Sequence, residues 1–507
     1  MVNLIDITAN TLAQNTFCFE GSIVDIKKIP VPIENSKFGI LNFTAVTSSE
    51  TDKELDFVFS VDCSGSMCDR CSDGRSKMQH IIHTLKNMII FLHEQAAANS
   101  NITINAFDTK IYKTVERVKI TDENLNEILT KIEKLTPLES TNIELALRET
   151  SKYIQELKTD YPTNIVNHIF MTDGEATDGS REISLLKSLV VDDIFNAFIG
   201  FGIEHDAGLL NSVGSVGKSC YHFIDKLESA GFIYGEILHS VIYKILTDCE
   251  IKLTNGLIYD FKTNSWVSSL KIGDIISEAN KTYNIVSSNP DEFSANIQGK
   301  LDDLVILYPS TRLDNTDLPK HIFRQRTLQL MFEANDYCHK KREEDNNFVW
   351  KIPSPEKKLA DNLRVQSDSL KRKLAAFMEE MKKFMSDSNL MDDKFMKNLC
   401  DDIYICFRTF DTRYGNMYCT SRQISQGSQR QYTVSNTLTD ERYATYGLSL
   451  PQSRALGRNN NLPILQHEVS RFDDTPYLTP QATQVMRFVS SNIEDNVEDA
   501  MTSTQDY

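Results

Sequence analysis

The chain is short of positive charge: 54 Lys and Arg stand against 71 Asp and Glu, a formal charge of −17 over 507 residues. Nucleic acid as the main partner would need a dense Lys/Arg face to neutralise phosphates, and this balance argues against it. Long apolar runs are missing too. The densest, MIIFL at 88–92, is the size of a core helix and far short of a membrane span. The first residues, MVNLIDITANTLAQNTF, have neither a basic start nor an apolar stretch, so no secretory leader is expected. Ten cysteines scattered over this length lack the density of a secreted disulfide framework. Reduced thiols in an intracellular, cytoplasmic setting are the expectation. There is no internal repeat, no GxxxxGK[ST] phosphate loop and no GxSxG elbow.

What the sequence does have is alternation. Between residues 55 and 247 short apolar runs take turns with helical periodicity. LDFVFSV at 55–61 reads as a buried strand cut off by the polar DCSGS. Over 75–96, Met78, Ile81, Ile82, Leu85, Ile89 and Leu92 recur at helical spacing. ITINAF at 102–107, IVNHIFM at 165–171, FNAFIGF at 195–201 and CYHFI at 220–224 read as further strands. Residues 122–134, 142–158 and a segment running to Leu246 read as helices. The pattern predicts an α/β fold, a doubly wound, mostly parallel sheet covered on both faces. Ligands of such sheets bind beyond the carboxyl ends of the strands. DCSGS and TDGE each follow an apolar strand directly, which puts both on that edge.

Short strands flank this core, at 16–31 and 39–46 before it and at 249–260, 265–267, 281–286 and 301–308 after it. Pairing them makes one β-sandwich with the α/β domain inserted, and an inserted domain needs its two ends close together. The expected division is a first part of the β-sandwich at 1–50, the α/β domain at 51–247 and a second part of the sandwich at 248–318. A helical region at 319–434 and a flexible, acidic tail at 435–507 follow, the tail poor in apolar residues and rich in Ser, Thr, Asn and Gln. Its Thr475-Pro476 and Thr479-Pro480, ahead of VMRFV, are candidate phosphorylation sites. Leu363, Leu370, Leu374, Phe377 and Met381 form a helical stripe that packs on its own domain or pairs with a partner helix.

DCSGSMCDRC at 62–71 contains two metal chemistries. Asp62, Ser64 and Ser66 offer a carboxylate and two hydroxyls from a turn in which Gly65 lets the backbone come close, and hard oxygen donors suit Mg2+ or Mn2+. This turn brings one formal negative charge, so a bound dication would stay electrophilic and capture an anionic group of a partner. Thr141, in ESTNI before a helix, and Asp173, in MTDGE after a strand, are placed to complete the shell. Each has an ordinary alternative: Ser66 or Thr141 as a helix cap, Asp173-Gly174 as a turn pair. Glu175, Asp178 and Asp108 read as solvated loop acids; on the rim of the site they would weaken capture of an acidic ligand.

In this order, DxSxS, Thr and strand-TDG resemble the metal-ion-dependent adhesion site of von Willebrand factor A domains. STNIELAL at 140–147 resembles the threonine segment of intracellular members. FIGFGIEHDAGLLNSV at 198–213 resembles the closing segment of von Willebrand A proteins related to plant RING-type ubiquitin ligases. The likeness runs on to RYGNMYCTSRQISQGSQRQY at 413–432, and similar chains occur in protists and large DNA viruses. The resemblance implies that Asp62, Ser64 and Ser66 bind Mg2+ or Mn2+ directly, with Thr141 and Asp173 binding directly or through water. It also implies that a Glu or Asp of a protein partner fills the open position. Ser140 stands where relatives often carry Gly, and no Cys/His series of RING type occurs, so ligase activity does not carry over.

Cys68 and Cys71 with His80 and His83 give C-x2-C-x8-H-x2-H, a zinc-like set. Its middle gap is shorter, and its His pair closer, than in a zinc finger. Both histidines fall opposite the Met78/Ile82/Leu85 face, which predicts that they are exposed. The favoured reading is a pair of thiols on an elongated loop, without the thioredoxin context of a redox CxxC. A phosphotransferase using a strand-end Asp would carry DxDx[TV], and Ser64 stands where its second Asp belongs. The sequence therefore predicts a non-enzymatic module that binds an acidic group of a partner protein. The alternative is a scaffold or adaptor with a vestigial metal site, linked to the ubiquitin pathway, that binds through its helical region and tail.

Overall fold

The computed structural model describes residues 13–19, 36–48, 51, 53–71, 74–94, 99–202, 205–224, 230–301, 304–313, 318–348, 356–412, 414–433 and 475–490. β1 (Ala13–Phe19) and β2 (Lys37–Ala45) come first and pair antiparallel. All eight residues of β3 (Leu55–Asp62) are buried, because alternate positions serve opposite faces of the sheet: Phe57, Phe59 and Val61 pack on one side and Val58 on the other. A 3-10 turn (Gly65–Cys68) leads on to α1 (Lys77–Glu94). The domain continues with β4 (Ser100–Phe107), β5 (Ile111–Lys119), α2 (Leu125–Glu133), α3 (Ile143–Asp160) and β6 (Ile165–Thr172). α4 (Ile183–Ser188), β7 (Phe195–Phe201), α5 (Ala207–Val213), β8 (Lys218–Ile224) and α6 (Ala230–Ile242) complete it.

The strand order is β5-β4-β3-β6-β7-β8, parallel except for β5. Helices α1, α2 and α6 cover one face, α3 and α5 the other. β4 lies on one side of β3 and β6 on the other, so the crevice beyond their ends is the switch point at which such sheets bind ligands. β5 is absent from the sequence expectation because, as a half-exposed edge, it carries charged residues instead of an apolar run.

The backbone amide of Thr51 donates to Ile242 O (3.1 Å), which closes the two ends of the α/β domain on each other. Beyond it come β9 (Lys244–Thr254), β10 (Leu257–Asp260), β11 (Ser265–Val267), β12 (Ser269–Ile276), β13 (Asn280–Ser287), β14 (Ser294–Leu301), β15 (Leu304–Pro309) and β16 (Thr311–Arg312). With β1 and β2 they form two sheets, β11-β10-β13-β2-β1-β16 and β12-β9-β14-β15. Phe43, Leu246, Ile251, Ile285, Ile297 and Tyr308 share the core of this β-sandwich, into which the α/β domain is inserted. The single strand expected over 249–260 is two strands, parted where Asn255 adopts the left-handed region (φ 57°) ahead of Gly256.

A bundle of α7 (Leu318–Phe348), α8 (Glu356–Asp387), α9 (Lys394–Thr409) and α10 (Gly415–Ser428) follows. Leu363, Leu370, Leu374, Phe377 and Met381 of α8 are buried in it. The bundle is docked on the sandwich: Arg324 Nη1 donates to Thr282 O (2.8 Å) and Asn284 Nδ2 to Gln325 Oε1 (2.9 Å). Residues 480–490 form α11, and its Ala482, Val485, Met486 and Val489 enter the core shared by α1 and α6. This departs from the flexible chain expected there; the rest of that tail, 435–474 and 491–507, lies outside the described residues. Among the described residues no helix is long and apolar enough to cross a membrane.

Candidate metal-binding site

Asp62 ends β3, and its carboxylate turns back onto the chain: Oδ1 accepts from the Ser64 amide (2.8 Å) and Oδ2 from the Thr172 hydroxyl (2.5 Å) at the end of β6. The Ser64 and Ser66 hydroxyls are 3.0 Å apart, and Ser66 Oγ donates to Asp173 Oδ1 (2.7 Å). A third segment is laced onto this turn. The Leu138 amide donates to Cys63 O (2.6 Å) and the Gly65 amide to Glu139 O (2.7 Å). Thr141 is held from the other side, its amide donating to Thr177 Oγ1 (2.8 Å) and its carbonyl accepting from Thr177 N (2.9 Å) and Asp178 N (3.1 Å). A Cβ added at Gly174 would lie 3.6 Å from both Ser66 Oγ and Thr141 Oγ1, so the two hydroxyls flank that glycine. The structure thus brings Asp62, Ser64, Ser66, Thr141 and Asp173 together.

None of the hydroxyls serves as a helix cap. Asn142 caps α3, accepting from the Leu145 amide (2.8 Å), and Ser64 makes no side-chain capping bond to the 3-10 turn. Asp62 and Asp173 are fully buried. Burial pushes the Asp62 carboxyl up to about 7 against the hydrogen bond from Thr172, and Asp173 beside it raises it further. The donor set is oxygen only, with two carboxylates crowded together out of solvent, and this chemistry fits a hard dication. Thr172 was not singled out in the sequence; Lys77, whose ammonium lies 2.6 Å from Asp173 Oδ2, was not either. Thr172 reads as an ordinary strand residue, and Lys77 as the start of a helix.

Of the neighbouring acids, Asp108 is not solvated but buried: Oδ1 accepts from the Lys110 amide (2.7 Å), Oδ2 from the Tyr112 hydroxyl (3.3 Å), and its carbonyl from the Asn142 amide (2.9 Å). It braces the turn that holds Thr141. Glu175 and Asp178 are exposed; Glu175 faces Arg342 (3.8 Å) and Arg181 (3.9 Å), and Asp178 accepts from Asn142 Nδ2 (3.1 Å).

The zinc-like set is not assembled. Cys68 is exposed and Cys71 half-buried, and among the described residues no group of three or more His, Cys, Asp and Glu stands where it could hold a metal ion. The expected exposure of the two histidines is also corrected: His80 is 2% exposed and His83 is half-buried. His80, Thr84, Asn87 and Phe91 form a second buried stripe on α1, which α11 covers at Asn87, donating to Val489 O (3.3 Å), and at Phe91, against Phe488.

The architecture and this cluster define a class of domain, an open α/β sheet with a cage of oxygen donors at its switch point. The model of the von Willebrand factor type A domain matches residues 57–175, a span that contains all five candidate ligands. Residues 57–175 thus match a von Willebrand factor type A domain, while the rest of the α/β domain, from 176 to 242, the sandwich strands and the helical bundle lie outside the matched span. Among solved structures, the chain is similar to a von Willebrand factor type A protein from Catenulispora acidiphila, at 12% identity over 77% of this chain and 89% of that one, with a TM-score of 0.47. It is similar also to the ArnB paralog VWA2 from Sulfolobus acidocaldarius, at 10% identity over 81% and 98%, with a TM-score of 0.46. A third is proximal thread matrix protein 1 from the mussel byssus, with a zinc-occupied MIDAS motif, at 14% identity over 41% and 51%, with a TM-score of 0.32. No curated protein matches the chain.

Proposed function

We propose that the inserted domain is a metal-ion-dependent adhesion module that binds a protein partner. Asp62, Ser64 and Ser66 hold Mg2+ or Mn2+ directly, Thr141 and Asp173 hold it directly or through water, and an Asp or Glu of the partner takes the remaining position. The observation that carries this reading is the continuous set of donors from Asp62 through Ser64 and Ser66 to Asp173, with hydroxyls that have no capping duty. The reading is of binding and not of turnover, because Ser64 stands where a phosphotransferase using a strand-end Asp carries its second Asp. The alternative binding surfaces are already in use, since the α8 stripe and the apolar side of α11 are buried inside the molecule. No disulfide joins the ten cysteines, all of them among the described residues, which supports an intracellular setting.

Calorimetric titration with Mg2+ and with Mn2+ tests the site. Wild type binds one ion and Asp62→Ala binds none. In a pull-down, partners appear with wild type in Mg2+ and disappear in EDTA and with Asp62→Ala. The same partners under all three conditions would make the oxygen site vestigial. Hydrolysis of a phosphate ester, lost in Asp62→Ala, would make the protein an enzyme.

A further inference from the structure

Lys77 stands in the site without any sequence motif to announce it. Asp173 is fully buried, and its two oxygens are divided: Oδ1 accepts from Ser66 Oγ (2.7 Å) and Oδ2 from Lys77 Nζ (2.6 Å). The Lys77 side chain is 14% exposed, and a second carboxylate near it, Asp69 at 3.5 Å, is 61% exposed. The strong contact is therefore the one inside the site. The ammonium is delivered there by the elongated loop that carries Cys68 and Cys71. That excursion closes on itself, with the Lys77 amide donating to Asp69 O (3.0 Å), the Cys71 amide to Arg75 O (2.8 Å) and a bridge between Arg70 and Ser76. Lys77 thus begins α1 directly beside the donor cluster.

We propose that Lys77 is the resident counter-cation of this site, staying on Asp173 when the metal enters and making the metal select a carboxylate ligand. This rests on the metal-binding reading above. Asp173 Oδ1 is on the side of the Ser64 and Ser66 hydroxyls and Oδ2 on the side of the ammonium, so a dication taken up by the hydroxyls would leave the Lys77 contact in place. The charge count gives the consequence. Asp62, Asp173 and a dication sum to zero; Lys77 adds a positive charge inside the site, which Asp69 offsets only from the solvent side, where water screens it. A positive charge held beside the metal raises its attraction for an anionic ligand over a neutral one. Lys77 therefore weakens the metal and strengthens the partner's acidic group, whether a side chain or a chain terminus.

The test uses the full chain as wild type, Lys77→Met and Lys77→Arg. Mn2+ affinity is read by calorimetry, and acetate binding by its displacement of water from the bound Mn2+ in proton relaxation. Lys77→Met should bind Mn2+ roughly tenfold tighter or more, bind acetate more weakly by a similar factor, and gain more in melting temperature from Mn2+ than wild type does. Lys77→Arg should stay near wild type in both. Opposite shifts in metal and acetate affinity cannot come from a merely damaged fold. Unchanged or weakened Mn2+ binding in Lys77→Met, or unchanged acetate binding, overturns the inference and leaves the metal site standing. Wild type that binds no Mn2+ overturns both.

Discussion

His168 lies in the middle of the sheet with both ring nitrogens engaged. Nδ1 donates to Asn196 Oδ1 (3.1 Å), whose own amide is committed to Val191 O (2.8 Å), which leaves Nε2 to accept from the Ser60 hydroxyl (3.0 Å). Burial holds the ring down at about 4 although the Asn196 bond pulls the other way. Unfolded chain takes up a proton near pH 6.5 that the folded chain refuses until about 4. Stability from this residue is complete above the unfolded value and is lost as pH falls towards the folded one. In urea unfolding, the advantage of wild type over His168→Gln should shrink by roughly 2 kcal/mol between about pH 7 and about pH 5. A gap that is constant with pH would mean that the folded ring protonates freely. At this scale the sequence was informative where spacing carried the chemistry: Asp62, Ser64 and Ser66 could be read because a turn at a strand end aims alternate side chains at one point. Thr172, Lys77 and the burial of Asp108 could not, because each depends on a segment far away in the chain.

The same division holds for elements. β3 and β6 were legible because a strand covered on both faces is apolar throughout. α1 was read as a helix with one buried face and has two, the second covered by α11. A signal for α11 was present: Thr479 accepts from the Ala482 amide (3.3 Å) as a cap, Pro480 opens the helix, and positions 482, 485, 486 and 489 share one face. The polar composition on either side outweighed these few residues. The packing of α11 on α6 is close: a Cβ at Gly235 would lie 2.5 Å from Met486 Cα, and one at Gly231 2.8 Å from Ser490 Cα. Both obstacles are backbone, so the helices must move apart. Gly235→Ala should destabilise the protein by about 1–3 kcal/mol and strip hydrogen-exchange protection from 480–490. Unchanged protection in that segment would show that the two helices can separate without loss.

For the whole molecule, 475–490 acts as a strap across all three units. Tyr477 donates to Gln426 Oε1 (2.5 Å) in the helical bundle. Gln481 donates to the sandwich twice, through its amide to Glu278 Oε2 (2.9 Å) and through Nε2 to Ser48 O (3.1 Å). α11 then lies on the inserted α/β domain. Chain ended at residue 474 should therefore melt several degrees lower and over a broader range, with faster proteolysis at α1 and α6. An unaltered, sharp transition would make the strap an ornament. Composition and periodicity indicated the inserted arrangement, since the strands on either side needed partners; they held no record of which piece would bind the units together.

The strap has one more consequence. The Thr475 hydroxyl donates to Arg430 O (2.6 Å), so chain that departs after Thr433 returns almost to its point of departure. The entropy of closing a loop grows only with the logarithm of its length, about 0.6 kcal/mol for each doubling. Two anchors this close together set little demand on the length of chain between Thr433 and Thr475, so an insertion between them should leave the strap in place. Selection can write new content there, or an engineer a fluorescent cargo, while the anchors on either side stay fixed.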